Sequence, residues 1–238
     1  MVAPGPLGAP GPSLSPRHRR GVRLLGLALL ALLASPAVAG AAGGCVAVDD
    51  FSTAKLGVFP AAWRPRDDAA REVYTVEEEP GRRFLRARSR GLGVQAARPF
   101  EWDLAAYPVL SWQWRPLRFP AGSDERVART NDSALAVYAV FPHTPVSVKS
   151  LKYIWSAVVS AGEQLSSSNG LTRVRVLRNG ARGQGKWLEE RVNVLEDYRS
   201  LFKEAEVPKP AGIAVLTDSD DTQSSAQGDY ARFRVCRP

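Results

Sequence analysis

The chain has 238 residues and a formal net charge of +8. The first 39 residues contain four arginines and no acid, so the other 199 residues carry a net charge of +4. A charge this small on a chain of this length argues against a nucleic-acid-binding protein, whose basic residues cluster on one surface. The length after residue 39 fits one domain with a sizeable core.

Residues 1–39 have the pattern of a secretory signal peptide. Four arginines at 17–23 precede an apolar run at 24–33, and Ala-Val-Ala at 37–39 matches a cleavage site. The apolar run is too short to cross a bilayer comfortably. We therefore expect cleavage after Ala39, which yields a periplasmic or secreted protein without an integral membrane span. An uncleaved N-terminal anchor is the alternative.

Cys45 and Cys236 are the two cysteines of the chain, and they lie near the two ends of the predicted mature protein. In an oxidising compartment, such a pair favours a disulfide that ties the first strand to the last. Lipidation of Cys45 is the alternative, because small residues at 42–44 precede it. The leucine expected in a lipoprotein signal is missing there.

The first half of the predicted mature chain contains several short strands. Residues 45–51 alternate in part, and 71–77 and 83–89 predict the two arms of a hairpin around a Pro-Gly turn. The stretch 108–115 predicts a central strand, because Leu110, Trp112 and Trp114 are two residues apart and share one face of an extended chain.

Two indoles on one face bury a large apolar area and need a facing layer to pack against. The strand 108–115 therefore predicts a β-sandwich with Trp112 and Trp114 near its centre.

The second half predicts further strands and one helix. Strands are predicted at 132–141, 151–156, 172–178, 213–216 and 230–236. The apolar period becomes helical over 193–202, with Asn193 as a possible N-cap. We predict an all-β fold, a jelly-roll β-sandwich with one short helix, formed by residues 45–238 as a single domain.

Acidic residues near two predicted strand ends are candidates for a site. Asp218 and Asp220 lie on the loop after strand 213–216, and Asp132 stands at the head of strand 132–141. Closely spaced carboxylates on a loop suit Ca²⁺, although the pattern lacks the glycine and distal glutamate of an EF-hand. A solvated loop, with Asp218 and Asp132 capping turns, is the simpler interpretation.

A second possible oxygen cluster combines Asp49 and Asp50 with Asp229. These residues approach each other if the terminal strands pair, and hard oxygen donors of this kind suit a structural calcium ion. A structural calcium ion, at these residues or on the loop after strand 213–216, is the one cofactor that the sequence suggests; the alternative is that the protein has none.

Tyr153 and Trp155 share one face of a predicted strand just before a serine-rich loop, and with Lys152 they are candidates for an exposed surface. Aromatic rings beside polar groups in a groove can stack on the apolar face of a sugar. We therefore expect a ligand-binding site formed by Asp132, Tyr153, Trp155, Asp218 and Asp220. The alternative is that these rings are ordinary core aromatics.

The usual catalytic patterns are missing from the sequence. His143 is the one histidine after residue 39, so no pair of histidine ligands exists, and neither a G-x-S-x-G elbow nor a P-loop is present. We therefore assign no catalytic residue. Paired carboxylates, with Asp132 as one member, would be needed for glycoside hydrolysis.

Five segments resemble a family of uncharacterised exported proteobacterial proteins, defined as a domain of unknown function. They are LSWQWR at 110–115, DSALAVY at 132–138, KSLKYIWS at 149–156, RVNVLEDY at 191–198 and IAVLTDSDDT at 213–222. The ends, VDDF at 48–51 and GDYARFRV at 228–235, are more loosely similar to galactose-binding-like jelly rolls of carbohydrate-binding modules. That second resemblance implies a jelly roll and, in some members, a glycan ligand or a structural Ca²⁺.

Together these observations predict an exported protein that binds a ligand without turnover, and they favour a carbohydrate as that ligand. One alternative is a cell-envelope glycan hydrolase or lyase that uses paired carboxylates. Another is a structural or partner-binding envelope protein. No nucleic-acid partner is expected.

Overall fold

The computed structural model describes residues 44–238, so the predicted signal peptide at 1–39 lies outside the described residues. The described strands form two sheets. Sheet A contains β1 (Cys45–Asp49), β3 (Tyr74–Glu79), β4 (Arg82–Arg90), β6 (Val109–Arg118), β11 (Leu188–Asn193) and β13 (Ser225–Cys236). Sheet B contains β2 (Arg64–Pro65), β5 (Gln95–Pro99), β7 (Leu135–Thr144), β8 (Ser147–Ser156), β9 (Gln164–Ser166), β10 (Thr172–Asn179) and β12 (Gly212–Leu216).

The strand order identifies the fold as the predicted jelly-roll β-sandwich. Sheet A runs β11-β6-β13-β4-β3 with β1 also paired to β13, and sheet B runs β2-β5-β12-β7-β8-β10-β9. Strands β8 and β10 run parallel. The other described pairs are antiparallel.

The predicted tryptophan strand is β6, which lies between β11 and β13. Trp112 and Trp114 are fully buried, as predicted. Their ring centroids each lie 5.8 Å from an aromatic ring of β8 on the opposite sheet, Tyr153 for Trp112 and Trp155 for Trp114. The two sheets therefore close over an indole-rich core.

A disulfide joins Cys45 and Cys236, as predicted. The two residues are directly opposite each other in the antiparallel pair β1–β13. Because both thiols are used in this bond, the structure favours the disulfide over lipidation of Cys45. The bond joins two residues that are 191 positions apart in the sequence, so it closes almost the whole described chain into one loop.

The predicted helix is α2 (Val194–Phe202), which follows the one-turn helix α1 (Ala70–Val73) along the chain. Asn193 caps α2, because its side chain accepts a hydrogen bond from the Glu196 backbone N–H at 3.2 Å. The buried ring of Tyr198 packs 4.6 Å from that of Phe141 in β7. Within residues 44–238, no helix has the length and apolar character needed to cross a membrane.

Sheet B buries side chains on both of its faces. In β7, Leu135, Val137 and Ala139 face the core between the sheets, whereas Ala136 and Tyr138 alternate with them and belong to a separate apolar cluster. That second cluster contains Ala136, Tyr138, Ile154, Val159, Val176, Ala214 and Leu216. The outer face of sheet B is therefore also covered, and the candidate site lies on this face.

Candidate functional site on the outer face of sheet B

The register of sheet B brings together three of the predicted site residues. Leu216 of β12 lies opposite Ala136 of β7, so the loop after β12 meets the segment before β7. Asp132 from that segment, and Asp218 and Asp220 from that loop, each place one carboxylate oxygen within 4.8 Å of the others. Asp132 and Asp218 are buried, whereas Asp220 is exposed.

Asp132 organises the loop after β12. Its carboxylate accepts hydrogen bonds from the backbone N–H groups of Asp221 at 3.1 Å and Thr222 at 2.8 Å, and from the Thr222 hydroxyl at 2.5 Å. With these oxygens already engaged, Asp132 has the structural role that the sequence allowed as the simpler interpretation. It holds the loop that presents Asp218 and Asp220.

A cavity of about 310 Å³ opens beside these residues on the outer face of sheet B. We call it the sheet B cavity, and it is lined by Gly93, Gln95, Glu125, Asn131, Tyr138, Lys152, Leu165, Ser166, Ser167, Thr172, Val174, Leu216, Asp218, Asp220 and Asp221. Its lining is mainly polar and includes hydrogen-bond donors and acceptors together with three aliphatic side chains, Leu165, Val174 and Leu216.

Lys152 is the charged residue that sheet B itself contributes to the cavity. It lies opposite Tyr138 in the β7–β8 pair, and its Nζ is 5.9 Å from the Tyr138 ring centroid. The residue is only 7% exposed. Lysine salt bridges within 4.0 Å in the described part of the chain involve Lys149 and Lys209, not Lys152. A buried ammonium group thus lines the cavity without a carboxylate in direct contact.

Neighbouring groups keep Lys152 charged. Burial alone lowers the pKa of a lysine, but the Tyr138 oxygen and the carboxylates of Asp218 and Glu125 outweigh this effect and raise the pKa of Lys152. The ammonium form is therefore the relevant form at neutral pH. It is a permanent donor at the wall of the cavity.

Asp218 titrates near neutral pH. Burial raises its pKa from 3.8 to about 7, against the opposing effects of the Lys152 charge and of the hydrogen bond from the Ser133 backbone N–H. The nearby carboxylates of Asp132 and Asp220 add to the rise. Asp218 can therefore exchange a proton around pH 7.

Glu125 is a site residue that the sequence analysis missed. It is 8% exposed and accepts hydrogen bonds from the hydroxyls of Ser133 at 3.2 Å and Ser156 at 2.5 Å. Its segment connects β6 to β7 and is polar, so nothing in the local sequence distinguishes it from a solvated loop. Lys152 gave a clearer signal, since it is a lone charge within the apolar run Leu-Lys-Tyr-Ile-Trp.

Tyr153 and Trp155 are not part of the site, which corrects the prediction for these two residues. Both are fully buried in the core between the sheets. The Tyr153 hydroxyl donates to Asp197 at 3.0 Å, and Trp155 Nε1 donates to the Gly180 carbonyl at 3.0 Å. They share one face of β8 as predicted, but it is the inner face, and Lys152 occupies the outer one.

Asp49, Asp50 and Asp229 do not converge, which corrects the second predicted cluster. Asp229 is fully buried between two guanidinium groups, with Arg86 Nε at 2.5 Å and Arg115 Nε at 2.7 Å. Its charge is therefore already balanced.

The other two carboxylates of that cluster have local partners of their own. Asp49 accepts from Trp63 Nε1 at 2.9 Å, and Asp50 accepts from the Ser52 backbone N–H at 2.9 Å. Within residues 44–238, the one group of three or more possible metal ligands is Asp132, Asp218 and Asp220. A structural calcium ion stays a prediction. The positive charge of Lys152 near that group would repel a cation bound there.

The fold and the site define a β-sandwich protein with a polar cavity on the outer face of one sheet. Residues 61–234 match the family described as "Protein of unknown function (DUF3047)". The chain belongs to this family. No curated protein has a sequence that matches the chain.

Three solved structures have a partly similar arrangement of strands. An agarase, AgWH50C, is 10% identical with a TM-score of 0.36, over 82% of this chain and 25% of its own. The chain thus spans a quarter of the length of that agarase. A family 11 xylanase from Neocallimastix patriciarum is 14% identical with a TM-score of 0.37, over 69% of this chain and 86% of its own.

A carbohydrate-binding module specific for non-crystalline cellulose, CBM28, is 12% identical with a TM-score of 0.41. The similarity covers 82% of this chain and 97% of that module. At these identities the likeness concerns the fold.

Proposed function

We propose that this is an exported protein that binds a carbohydrate in the sheet B cavity without turnover. The observation that carries the proposal is the cavity itself, a space of about 310 Å³ whose lining includes the buried polar side chains of Glu125, Lys152 and Asp218. Ligand pockets in proteins begin at about this volume. The disulfide between Cys45 and Cys236 supports an oxidising compartment and hence export.

The chemistry of the lining suits a sugar. Each sugar hydroxyl both donates and accepts hydrogen bonds, and the cavity offers the donor Lys152, the acceptor Asp218, and the amide of Gln95, which does both. Val174 and Leu216 add apolar surface for the C–H groups of a sugar ring. Recognition of this kind relies on hydrogen bonds inside a cavity and not on an exposed aromatic platform.

Substitution of Lys152 tests the proposal. A glycan array first identifies an oligosaccharide, and calorimetry then compares the wild type with Lys152→Met. Methionine keeps most of the side-chain length but removes the donor, so we expect at least a tenfold loss of affinity, the value of one hydrogen bond from a charged group. Lys186→Met, on an exposed loop outside the cavity, is the matched control and should bind as the wild type does.

Thermal melting of both variants checks that they are folded. Unchanged affinity in a folded Lys152→Met would contradict binding in this cavity. Failure of the wild type to bind any glycan would contradict carbohydrate binding altogether.

A second candidate function is glycan hydrolysis, favoured by the pKa of Asp218. A carboxylic acid that titrates at about 7 suits a general acid at neutral pH, and Glu125 is a second buried carboxyl group that lines the cavity. The test is whether reducing ends are released from a bound oligosaccharide. Release by the wild type that is abolished in Asp218→Asn, while binding persists, would show that the protein hydrolyses the glycan and does not merely bind it.

A further inference from the structure

The charges that line the sheet B cavity are strongly unbalanced. Four carboxylates line it, from Glu125, Asp218, Asp220 and Asp221, and Lys152 is the one base among the lining residues. The buried carboxylate of Asp132 lies within 4.8 Å of those of Asp218 and Asp220. Unpaired charges of one sign focus an electrostatic potential in a cleft. Even when Asp218 holds its proton, the other three carboxylates outnumber the Lys152 ammonium, so the potential at this opening is negative at neutral pH.

The titration of the aspartates agrees with this charge balance. Burial raises the pKa of Asp218, and the carboxylates of Asp132 and Asp220 raise it further. Burial and the same two neighbours also raise the pKa of Asp221, which is largely exposed. Carboxylates that repel one another in this way gain free energy when a positive charge is placed among them.

The Lys152 ammonium and the two exposed carboxylates occupy different parts of the cavity, whereas Glu125 and Asp218 are buried like Lys152. Lys152 and Tyr138 lie on the sheet and are 7% and 6% exposed, whereas Asp220 and Asp221 are exposed on the loop after β12. Gly93 lets Asp220 approach the sheet, because a Cβ at that position would lie 2.1 Å from an Asp220 carboxylate oxygen. A ligand that fits both parts presents neutral acceptor oxygens to Lys152 and a positive charge to the loop.

We infer that the cavity selects a sugar that carries a protonated amine, an amino sugar, over neutral and acidic sugars. This inference rests on the proposed function and adds the class of sugar to it. The sugar hydroxyls accept hydrogen bonds from Lys152 at the sheet, and the ammonium group lies among the carboxylates of Asp218, Asp220 and Asp221. An acidic sugar would face the same carboxylates with a charge of the same sign.

Calorimetry on the disulfide-bonded protein tests the inference with three β-1,4-linked trimers that share one backbone: glucosamine, N-acetylglucosamine and glucose. The titrations are made at about pH 6, where most amines of the glucosamine trimer are protonated, since an amine beside electron-withdrawing groups titrates much closer to neutral pH than a lysine does. We expect the glucosamine trimer to bind at least tenfold more tightly than the other two, and this preference to shrink as salt is added.

Exposed aspartates supply the variants. Asp220→Asn and Asp221→Asn should each weaken binding of the glucosamine trimer severalfold and reduce its preference over the glucose trimer. Asp68→Asn is the matched control, since Asp68 is a fully exposed aspartate that does not line the cavity, and it should alter neither. Because both test positions are exposed, the variants should fold as the wild type does.

The outcomes separate this inference from the proposed function. Equal binding of the glucosamine and glucose trimers, or tighter binding of glucose, would overturn the preference for an amine and leave carbohydrate binding standing. If the protein binds a glycan of the array but none of the three trimers, the preference for an amine is likewise overturned and carbohydrate binding stands. Absence of binding to every glycan would overturn both.

Discussion

Lys152 and Asp218 show how burial sets the chemistry of single residues in this protein. Both are less than a tenth exposed, and both line the same cavity. Nearby carboxylates that do not touch Lys152 raise its pKa, so the lysine keeps its charge. Burial raises the pKa of Asp218 to about 7, so the aspartate gains or loses its proton near neutral pH. Neither property is visible in the sequence, because each depends on neighbours that are distant along the chain.

Asp218 makes the stability of the protein depend on pH. Its pKa is 3.8 as a free side chain and about 7 in the fold, so between these values the folded state holds a proton that the unfolded state has lost. The contribution of Asp218 to the free energy of unfolding is therefore present below pH 4 and is lost as the pH rises to 7. The full loss is on the order of 4 kcal/mol.

Asp218→Asn should remove this dependence. The asparagine carbonyl still accepts the hydrogen bond from the Ser133 backbone N–H but cannot ionise. In urea unfolding at about pH 5 and about pH 8, the variant should gain stability relative to the wild type as the pH rises. A difference between variant and wild type that stays constant with pH would show that Asp218 does not titrate in this range.

Among the elements, β6 and β8 show what alternation along a strand can and cannot predict. The period of two correctly predicted that Trp112 and Trp114 share one face of β6, and that Tyr153 and Trp155 share one face of β8. It does not say which face of β8 is the inner one when both faces are covered. A lysine beside two aromatic rings suggested a surface, whereas the rings are in the core and the lysine lines a cavity.

The convergence of Asp132 with Asp218 also depends on elements that the sequence does not position. The strands that carry these residues were predicted, but their pairing was not. Only the register Leu216–Ala136 brings the two carboxylates to the same end of sheet B. By contrast, the disulfide and the Asn193 cap were predictable, because each follows from residue type and local position.

The two indoles of β6 differ in their hydrogen bonds, which yields a prediction for this strand. Trp114 Nε1 donates to Glu190 at 3.0 Å, whereas Trp112 Nε1 is buried without a partner in the described part of the chain. Phenylalanine removes the N–H and some ring volume at either position. Trp114→Phe should therefore cost about 1 kcal/mol more than Trp112→Phe in the free energy of unfolding.

Chemical denaturation of the two variants at one pH measures this difference. Each variant is the control for the other, because both replace a fully buried indole on the same strand. Equal losses would mean that the bond to Glu190 contributes nothing to stability.

At the scale of the whole molecule, the disulfide links the two ends of the described chain through sheet A. It closes a loop of 191 residues in sequence separation, between strands that are already paired. Cross-linking a loop of that length restricts the unfolded chain far more than the folded one. The bond therefore stabilises the sandwich without any contact to the cavity.

Replacing both cysteines, as Cys45→Ser with Cys236→Ser, should lower the free energy of unfolding by up to about 5 kcal/mol. Denaturation of the wild type under reducing conditions is the control and should show a similar loss. Binding of a ligand in the sheet B cavity should be unchanged where the double variant is folded. A loss below about 1 kcal/mol would contradict the loop-closure account.

The central claim is that a sugar occupies the sheet B cavity, and amide chemical shifts during a saccharide titration test it most directly. The bound oligosaccharide from the glycan array is added to isotopically labelled protein. The largest shifts should occur at Tyr138, Lys152 and Asp218 and at their neighbours on β7, β8 and the loop after β12. Shifts confined to another surface, such as the groove beside Trp102 and Val207, would contradict the claim.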